Sequence, residues 1–510
     1  MSELVAGYNV PRGTLYLATQ QVVTYVATFI YYALLLRVLN LSQIGEVSLL
    51  ALVMSIFTTL TQVALPSAAT RFIASNIAKG DARKAEASAR TITGLLLGIA
   101  TPSLILAIFL SPWVGKLLLG GPSGIQLIIA TFVTGFIIDI TTLLGSFFLG
   151  LGMYSQSVYQ NVLYVPLSRG LGLTLAYSGF GVSGIVLGWV CGGLATLALS
   201  TYLLRGRLAL KGSYPIMPLM TFSLPVFSST VITLLQNWGD IAILQALIGQ
   251  LQTTGAYYLV VSSAGFLSIL WTPLTGAAYP AFSVTHSTNG AKGVSSQLIP
   301  VFRLINVIVL PICVGLAAVA PSAIEVVYGP ALVGQSIPFV MLVLATIFSA
   351  QGAILVMVLQ ATGNTRPLLK IFPIATVLDL ATVFFGAEAF STLAGAAGRV
   401  VLAVATFTLA WQSLRLTVRP PVLQDLDRGL ILAFTIGILL FATNQLLTYT
   451  VVVRPLIRLP VIVTVFCVSF MLLCKKLKAL REEDFDAIET ATPKFLHGFI
   501  NEMRRRFELS

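Results

Sequence analysis

GEVSLLALVMSIFTTLTQVALPSAATRFIASNIAKG, residues 45–80, is a long apolar stretch broken by Pro66 and closed by Arg71 and a basic loop. The same punctuation returns as GAYYLVVSSAGFLSILWTPLTGAAYPAFSVTHSTNG at residues 255–290, displaced by 210 positions. Such an echo marks two copies of one membrane unit, and an interface between copies is where transporters bind their substrates.

Composition agrees with that reading. Of 510 residues, 57% are hydrophobic and 9% charged, against roughly 25% charged in a soluble domain. Apolar runs recur along nearly the whole chain, each long enough to cross a hydrocarbon core about 30 Å thick. This predicts an all-α polytopic membrane protein. A barrel is excluded, since its strands would be about 10 residues long with alternating polarity. The N-terminal sequence lacks the basic start and small-residue cleavage site of a signal peptide, so the first span is expected to direct insertion. Cys191, Cys313, Cys467 and Cys474 have no CxxC spacing and read as small core residues.

Fourteen spans are predicted: 14–36, 44–73, 89–110, 124–150, 155–178 and 181–204; then 219–248, 253–283, 297–320, 333–361, 366–387 and 392–414; and finally 425–449 and 453–474. With the N-terminus inside, the outer segments hold only Arg37, Lys116, Arg454 and Arg458, and the other loop and tail cations are cytoplasmic. That positive-inside bias puts both termini in the cytoplasm of a cell with the protein in its plasma membrane. The net charge of +12 is therefore mostly topology, and nucleic acid is not an expected partner.

The offset holds beyond the opening stretch, because Gly152 and Gly363, and Gly184 and Gly395, are each 211 apart. Each copy has an even number of spans, so the repeat is parallel, related by an axis along the membrane normal. The predicted domains are an N-lobe at 1–212, a C-lobe at 213–417, a two-helix extension at 418–475 and an amphipathic cytoplasmic tail at 476–510. In the tail, Phe495, Leu496, Phe499, Ile500, Met503 and Phe507 share one helical face, as in a helix lying on a bilayer or docked on cytoplasmic loops.

An ionisable residue at the centre of a membrane helix costs at least about 2.5–3.5 kcal/mol, so each needs a partner or a function. The deep ones are Asp139, Arg169, Asp240, Arg303, Asp379 and Arg399. Gln236, Asn237 and Asp240 share one helical face, an oxygen-rich set suited to Na⁺ or, through the carboxylate alone, to a proton. Asp379, with Thr376 one turn earlier, can complete such a site; alternatively Asp240 or Asp379 pairs with Arg303 or Arg399. Arg169, Arg71, Arg303 and Arg37 describe a cationic cavity for phosphate, although each alone is explained by an ion pair or by snorkelling. There is no P-loop, GxSxG or HExxH motif, so no enzyme activity or resident cofactor is expected.

These residues support a family resemblance. The chain resembles the polysaccharide biosynthesis flippases of the multidrug, oligosaccharidyl-lipid and polysaccharide exporter superfamily. The pattern is carried by Arg12, the Arg37–Leu39 turn, Gly45, Arg71, Gly80 with Asp81, and Gly150 with Gly152. The resemblance covers about the first 420 residues. It implies two six-helix bundles in a V and a cationic cavity. It also implies alternating access for an oligosaccharide on polyprenyl or dolichyl phosphate or pyrophosphate. Related peptidoglycan lipid flippases hold sodium with acidic residues on helices seven and eleven, where Asp240 and Asp379 fall. Thr376 and Ala375 stand where an amide would be a better ligand.

The expected function is thus a flippase moving a lipid-linked oligosaccharide from the cytoplasmic to the outer leaflet. It acts as a monomer among membrane lipids, driven by a cation gradient or the membrane potential. The alternatives are a cation-coupled multidrug and toxin exporter, and a membrane glycosyltransferase or ligase using the same lipid carrier.

Overall fold

In the computed structural model, the described residues are 10–119, 123–415, 417–418, 420–423, 425–450 and 455–481, with 498 and 504. Nearly all are helical. The tail face predicted after Pro493 lies outside the described residues.

The first compact unit, Met1–Tyr258, contains α1 (Val10–Val38), α2 (Leu41–Gln62), α3 (Leu65–Ala78), α4 (Ala82–Leu119), α5 (Ser123–Gly150), α6 (Tyr154–Leu175), α7 (Gly181–Leu204) and α8 (Ile216–Ile248). It also takes in the start of α9 (Leu251–Gly265). The second unit, Leu259–Ser510, holds the rest of α9 and α10 (Thr272–Leu304), α11 (Leu310–Ala318), α12 (Ala320–Tyr328) and α13 (Ser336–Ala361). It continues through α14 (Leu368–Phe390), α15 (Thr392–Leu414), α16 (Leu426–Gln445) and α17 (Pro455–Leu477). Among the described residues, 13 helical runs are long and apolar enough to cross a membrane. One of them, Tyr154–Leu204, is 51 residues long and turns back at Gly179 and Gly181, so it supplies two crossings. Helices satisfy their own backbone groups, which is why they are the spanning form that lipid allows here.

The repeat is visible in the backbone. Gly152 and Gly363, paired by the 211-residue offset, both adopt φ near +70° (72° and 74°) at the end of corresponding spans. The reversal before α7 is made by Gly181 (φ 54°, ψ −133°) and that before α15 by Ser391 (φ 51°, ψ −124°). A glycine takes that conformation freely, whereas the serine is strained.

Small residues set the closest packing. A Cβ on Gly188 would lie 2.4 Å from the Gly172 nitrogen, and one on Gly192 would lie 2.6 Å from the Ser168 Cβ. Gly184, Gly188 and Gly192 thus form a stripe that brings α7 against the backbone of α6, the small-residue packing typical of membrane helices. The glycines that open the two echoed stretches meet each other: a Cβ on Gly45 would sit 2.1 Å from the Leu251 carbonyl oxygen, and one on Gly255 would sit 2.6 Å from the Gly45 nitrogen.

The span expected at 44–73 is two helices. The break falls at Val63 and Ala64, both left-handed (φ 44° and 54°), and Pro66 stands in the first turn of α3 rather than at the kink. Proline needs no hydrogen-bonded N–H there. The counterpart in the second copy breaks through a tight turn at Phe266–Leu270. Cys313 and Cys474 are buried as expected, but Cys191 and Cys467 are exposed on helix faces.

Candidate functional site

In the first unit, α1, α6, α8 and α9 bring polar and aromatic side chains together. Arg169 on α6 donates from Nη1 to the Thr28 hydroxyl on α1. Its guanidinium lies 5.3 Å from the centre of the Tyr31 ring, close enough for the ring face to attract the cation. Tyr31 stands edge-on to Tyr32, with ring centres 5.2 Å apart, and Tyr32 edge-on to Tyr258 at 5.5 Å. The Tyr32 and Tyr258 hydroxyls are 2.8 Å apart, and Trp238 stacks on Tyr258 at 6.0 Å. The Tyr31 hydroxyl is buried and has no hydrogen-bond partner among the described residues.

Asp240 adjoins this aromatic row from α8. It is fully buried, and its Oδ2 accepts a 2.6 Å hydrogen bond from the Tyr257 hydroxyl while Oδ1 accepts from the Ile241 N–H. Asn237, one turn earlier, is exposed. The i, i+4 spacing identified Asp240, but its tyrosine partner comes from the next helix, where no local pattern points to it.

The other predicted residues have separate surroundings. Arg71 on α3 is exposed and lies 4.4 Å from the centre of the Phe222 ring on α8. Arg37 is exposed in the last turn of α1. In the second unit, Asp379 is fully buried on α14 against α15, where a Cβ on Gly398 would come 2.5 Å from its Oδ1. Thr376 is buried too, and its hydroxyl donates to the Phe372 carbonyl at 2.7 Å.

Arg303, 1% exposed, donates from Nε to Asp425 at 2.7 Å. Arg428 and Arg481 reach the same carboxylate at 3.3 and 3.6 Å. Three cations on one carboxylate make Arg303 part of a structural clasp that joins α10 to the start of α16. Asp425 opens the span predicted at 425–449 and lies 122 positions from Arg303, so no local pattern in the sequence points to the pair.

The model of the polysaccharide biosynthesis protein family matches residues 10–286, more than half of the chain. The chain belongs to that family. The matched stretch takes in the first unit from residue 10 onward, and so every helix that contributes to the Arg169 cluster. No curated protein sequence matches the chain. Among solved structures, it is similar to the lipid II flippase MurJ in an inward closed conformation, with 13% identity and a TM-score of 0.65 over 90% of this chain and 99% of that one. It is also similar to an inward-facing multidrug resistance MATE family transporter of the MOP superfamily, with 15% identity and a TM-score of 0.60 over 83% and 95% of the two chains. A MOP superfamily transporter from Pyrococcus furiosus, whose binding pocket is described as reversed in polarity, gives 13% identity and a TM-score of 0.52 over 87% and 96%. This member of the polysaccharide biosynthesis family therefore has the fold of the MOP transporters, with two repeated helical bundles.

Proposed function

We propose that the protein is a flippase that carries an oligosaccharide linked to polyprenyl or dolichyl phosphate or pyrophosphate from the cytoplasmic to the outer leaflet. It works by alternating access, as a monomer in the plasma membrane with both termini cytoplasmic. The observation that carries this reading is the pairing of Arg169 with Tyr31. A guanidinium on an aromatic bed stands beside a buried hydroxyl that lacks a partner among the described residues. Phosphate oxygens accept hydrogen bonds from both kinds of donor, and guanidinium matches their geometry. Trp238 and Tyr258 add flat apolar faces of the kind on which sugar rings pack. Arg71, on the cytoplasmic side, serves the approach of the charged headgroup, and Arg37, on the outer side, serves its departure.

Coupling is assigned to Asp240, with Asn237 on the same helix, in the first unit and to Asp379 with Thr376 in the second, through Na⁺ or H⁺. Both aspartates are fully buried in hydrocarbon-spanning helices, where an ionisable group is retained only with a function or a partner. The contact of Gly45 with Gly255 is the seam expected to part when the outer side opens. A single test is translocation of a lipid-linked oligosaccharide by reconstituted protein: Arg169→Ala is expected to abolish it and Arg169→Lys to retain part of it. Unchanged flipping by Arg169→Ala would remove that residue from the mechanism.

A second reading has one observation in its favour. A buried carboxylate beside a tryptophan and tyrosines also suits an organic cation, as in a drug exporter. Drug-stimulated cation flux in the same vesicles, with no flipping, would select it.

A further inference from the structure

Asp139, in the middle of α5, has no part in the site above. It is fully buried. Its Oδ2 lies 2.6 Å from the Thr61 hydroxyl and its Oδ1 accepts from Gln62 Nε2 at 3.0 Å. Thr61 and Gln62 are the last two residues of α2, immediately before the left-handed pair Val63 and Ala64. A membrane helix is thus interrupted without glycine, and its broken end is tied to α5 through one carboxylate.

The titratable side chains on helices packed against α5 are elsewhere. They are Glu46 on α2; Arg71 on α3; Arg83, Lys84, Glu86, Arg90 and Lys116 on α4; Tyr154, Tyr159, Tyr164 and Arg169 on α6; and Cys191 and Tyr202 on α7. None forms an ion pair or hydrogen bond with Asp139 among the described residues. Tyr164 is the one that lines the neighbouring cavity.

The hydrogen-bond set accommodates both forms of the carboxyl group. The Thr61 hydroxyl is also 2.8 Å from the Phe57 carbonyl oxygen. In the neutral acid, Oδ2–H donates to Thr61, Thr61 O–H donates to Phe57, and Gln62 donates to Oδ1, so each donor is satisfied. On ionisation the Thr61 hydroxyl turns from Phe57 to Oδ2, because a carboxylate is acceptor only. A cavity of about 380 Å³ lies along the same stretch of α5, although Asp139, Thr61 and Gln62 do not line it. It is lined by Ile138, the residue next to Asp139, by Pro66 and Ser67 just past the break, and by Thr142, Gln160 and Tyr164. Hydroxyl and amide side chains, Ser67, Thr142 and Gln160 among them, give this cavity polar groups that can hold water.

We propose that Asp139 is a proton-binding site at a hinge: gain or loss of its proton reorients Thr61 and changes how firmly the end of α2 is held at the Val63–Ala64 break. The site is separate from Asp240 and Asp379, and it places proton binding where a helix is already interrupted, an arrangement suited to moving one helix segment against another.

The test uses the full-length purified protein in lipid nanodiscs without substrate, so its outcome is independent of the flippase reading. Infrared difference spectra between acidic and alkaline pH are expected to show a carboxylic-acid carbonyl band that Asp139→Asn removes. Amide protection over residues 57–70, corrected for the intrinsic pH dependence of hydrogen exchange, is expected to change several-fold across the same pH range in the wild type and to stay constant in Asp139→Asn. Thr61→Val, which keeps the carboxyl group but removes the hydroxyl, is expected to shift the midpoint of the band and weaken the exchange response. A difference spectrum unaltered by Asp139→Asn, or exchange in which both variants follow the wild type, would overturn the proposal.

Discussion

The pair α6–α7 and its counterpart α14–α15 are built alike but differ in their deep ionisable residues, Arg169 in the first and Asp379 with Arg399 in the second. Each is a tight antiparallel pair packed through small residues, and the turns at Gly181 and Ser391 have nearly the same backbone angles. At matching levels, 210 positions apart and within one residue of the repeat offset, the first carries Arg169 and the second Asp379. Arg169 is half-buried and reaches Thr28 and Tyr31 on α1, whereas Asp379 is fully buried against Gly398 on its own partner helix. Duplication supplied one scaffold twice, and the copies carry different ionisable residues at this level. The cation suits an anionic headgroup; the carboxylate suits a coupling cation.

The largest break in that comparison should come from the scaffold itself. Gly188→Leu drives a side chain into the backbone of α6, and overpacking of this kind costs about 1–3 kcal/mol or more. Gly398→Leu does the same against Asp379 and Val383. Both variants are expected to lose folded protein, measured by size-exclusion profile and thermal unfolding in detergent. If only Gly188→Leu fails, the two pairs are not equally tight.

The charges should act next. Loss of a charge-assisted hydrogen bond is worth about 1.5–3 kcal/mol, so Arg169→Ala is expected to lower flipping by at least about tenfold while the thermal transition stays near wild type. Asp379→Asn is expected to leave substrate binding intact and remove the response of transport to an imposed Na⁺ or H⁺ gradient. Equal loss of binding in both would mean that the two copies are not divided by charge. The smallest effect is at the turn. Ser391→Gly relieves the left-handed strain and is expected to stabilise by about 1 kcal/mol, visible as a higher Tm. Gly181→Ala should lower it by a similar amount.

Much of this organisation is legible in the sequence because it is periodic. Long apolar runs give the spans, and Gly152/Gly363 mark the repeat because both positions demand a left-handed backbone. Gly45 and Gly255 stand out by their echo, but only the fold reveals that they touch. What escapes sequence reading is long-range or unsignalled. Asp425 meets Arg303 across 122 positions, and Tyr257 reaches Asp240 from a neighbouring helix. Val63 and Ala64 break α2 with neither glycine nor proline at the break, so Pro66 drew the expected kink a few residues too late. Arg303, grouped in the sequence with the phosphate-binding arginines, is held in the Asp425 clasp instead of standing open.

The central claim is that Arg169, in the first copy, receives the phosphate of a lipid-linked oligosaccharide. Translocation of a fluorescent polyprenyl-pyrophosphate oligosaccharide in proteoliposomes, compared between wild type and Arg169→Ala at matched reconstitution, tests it most directly. The account predicts rapid loss of outer-leaflet asymmetry with the wild type and near-background exchange with the variant; equal rates in the two would contradict it.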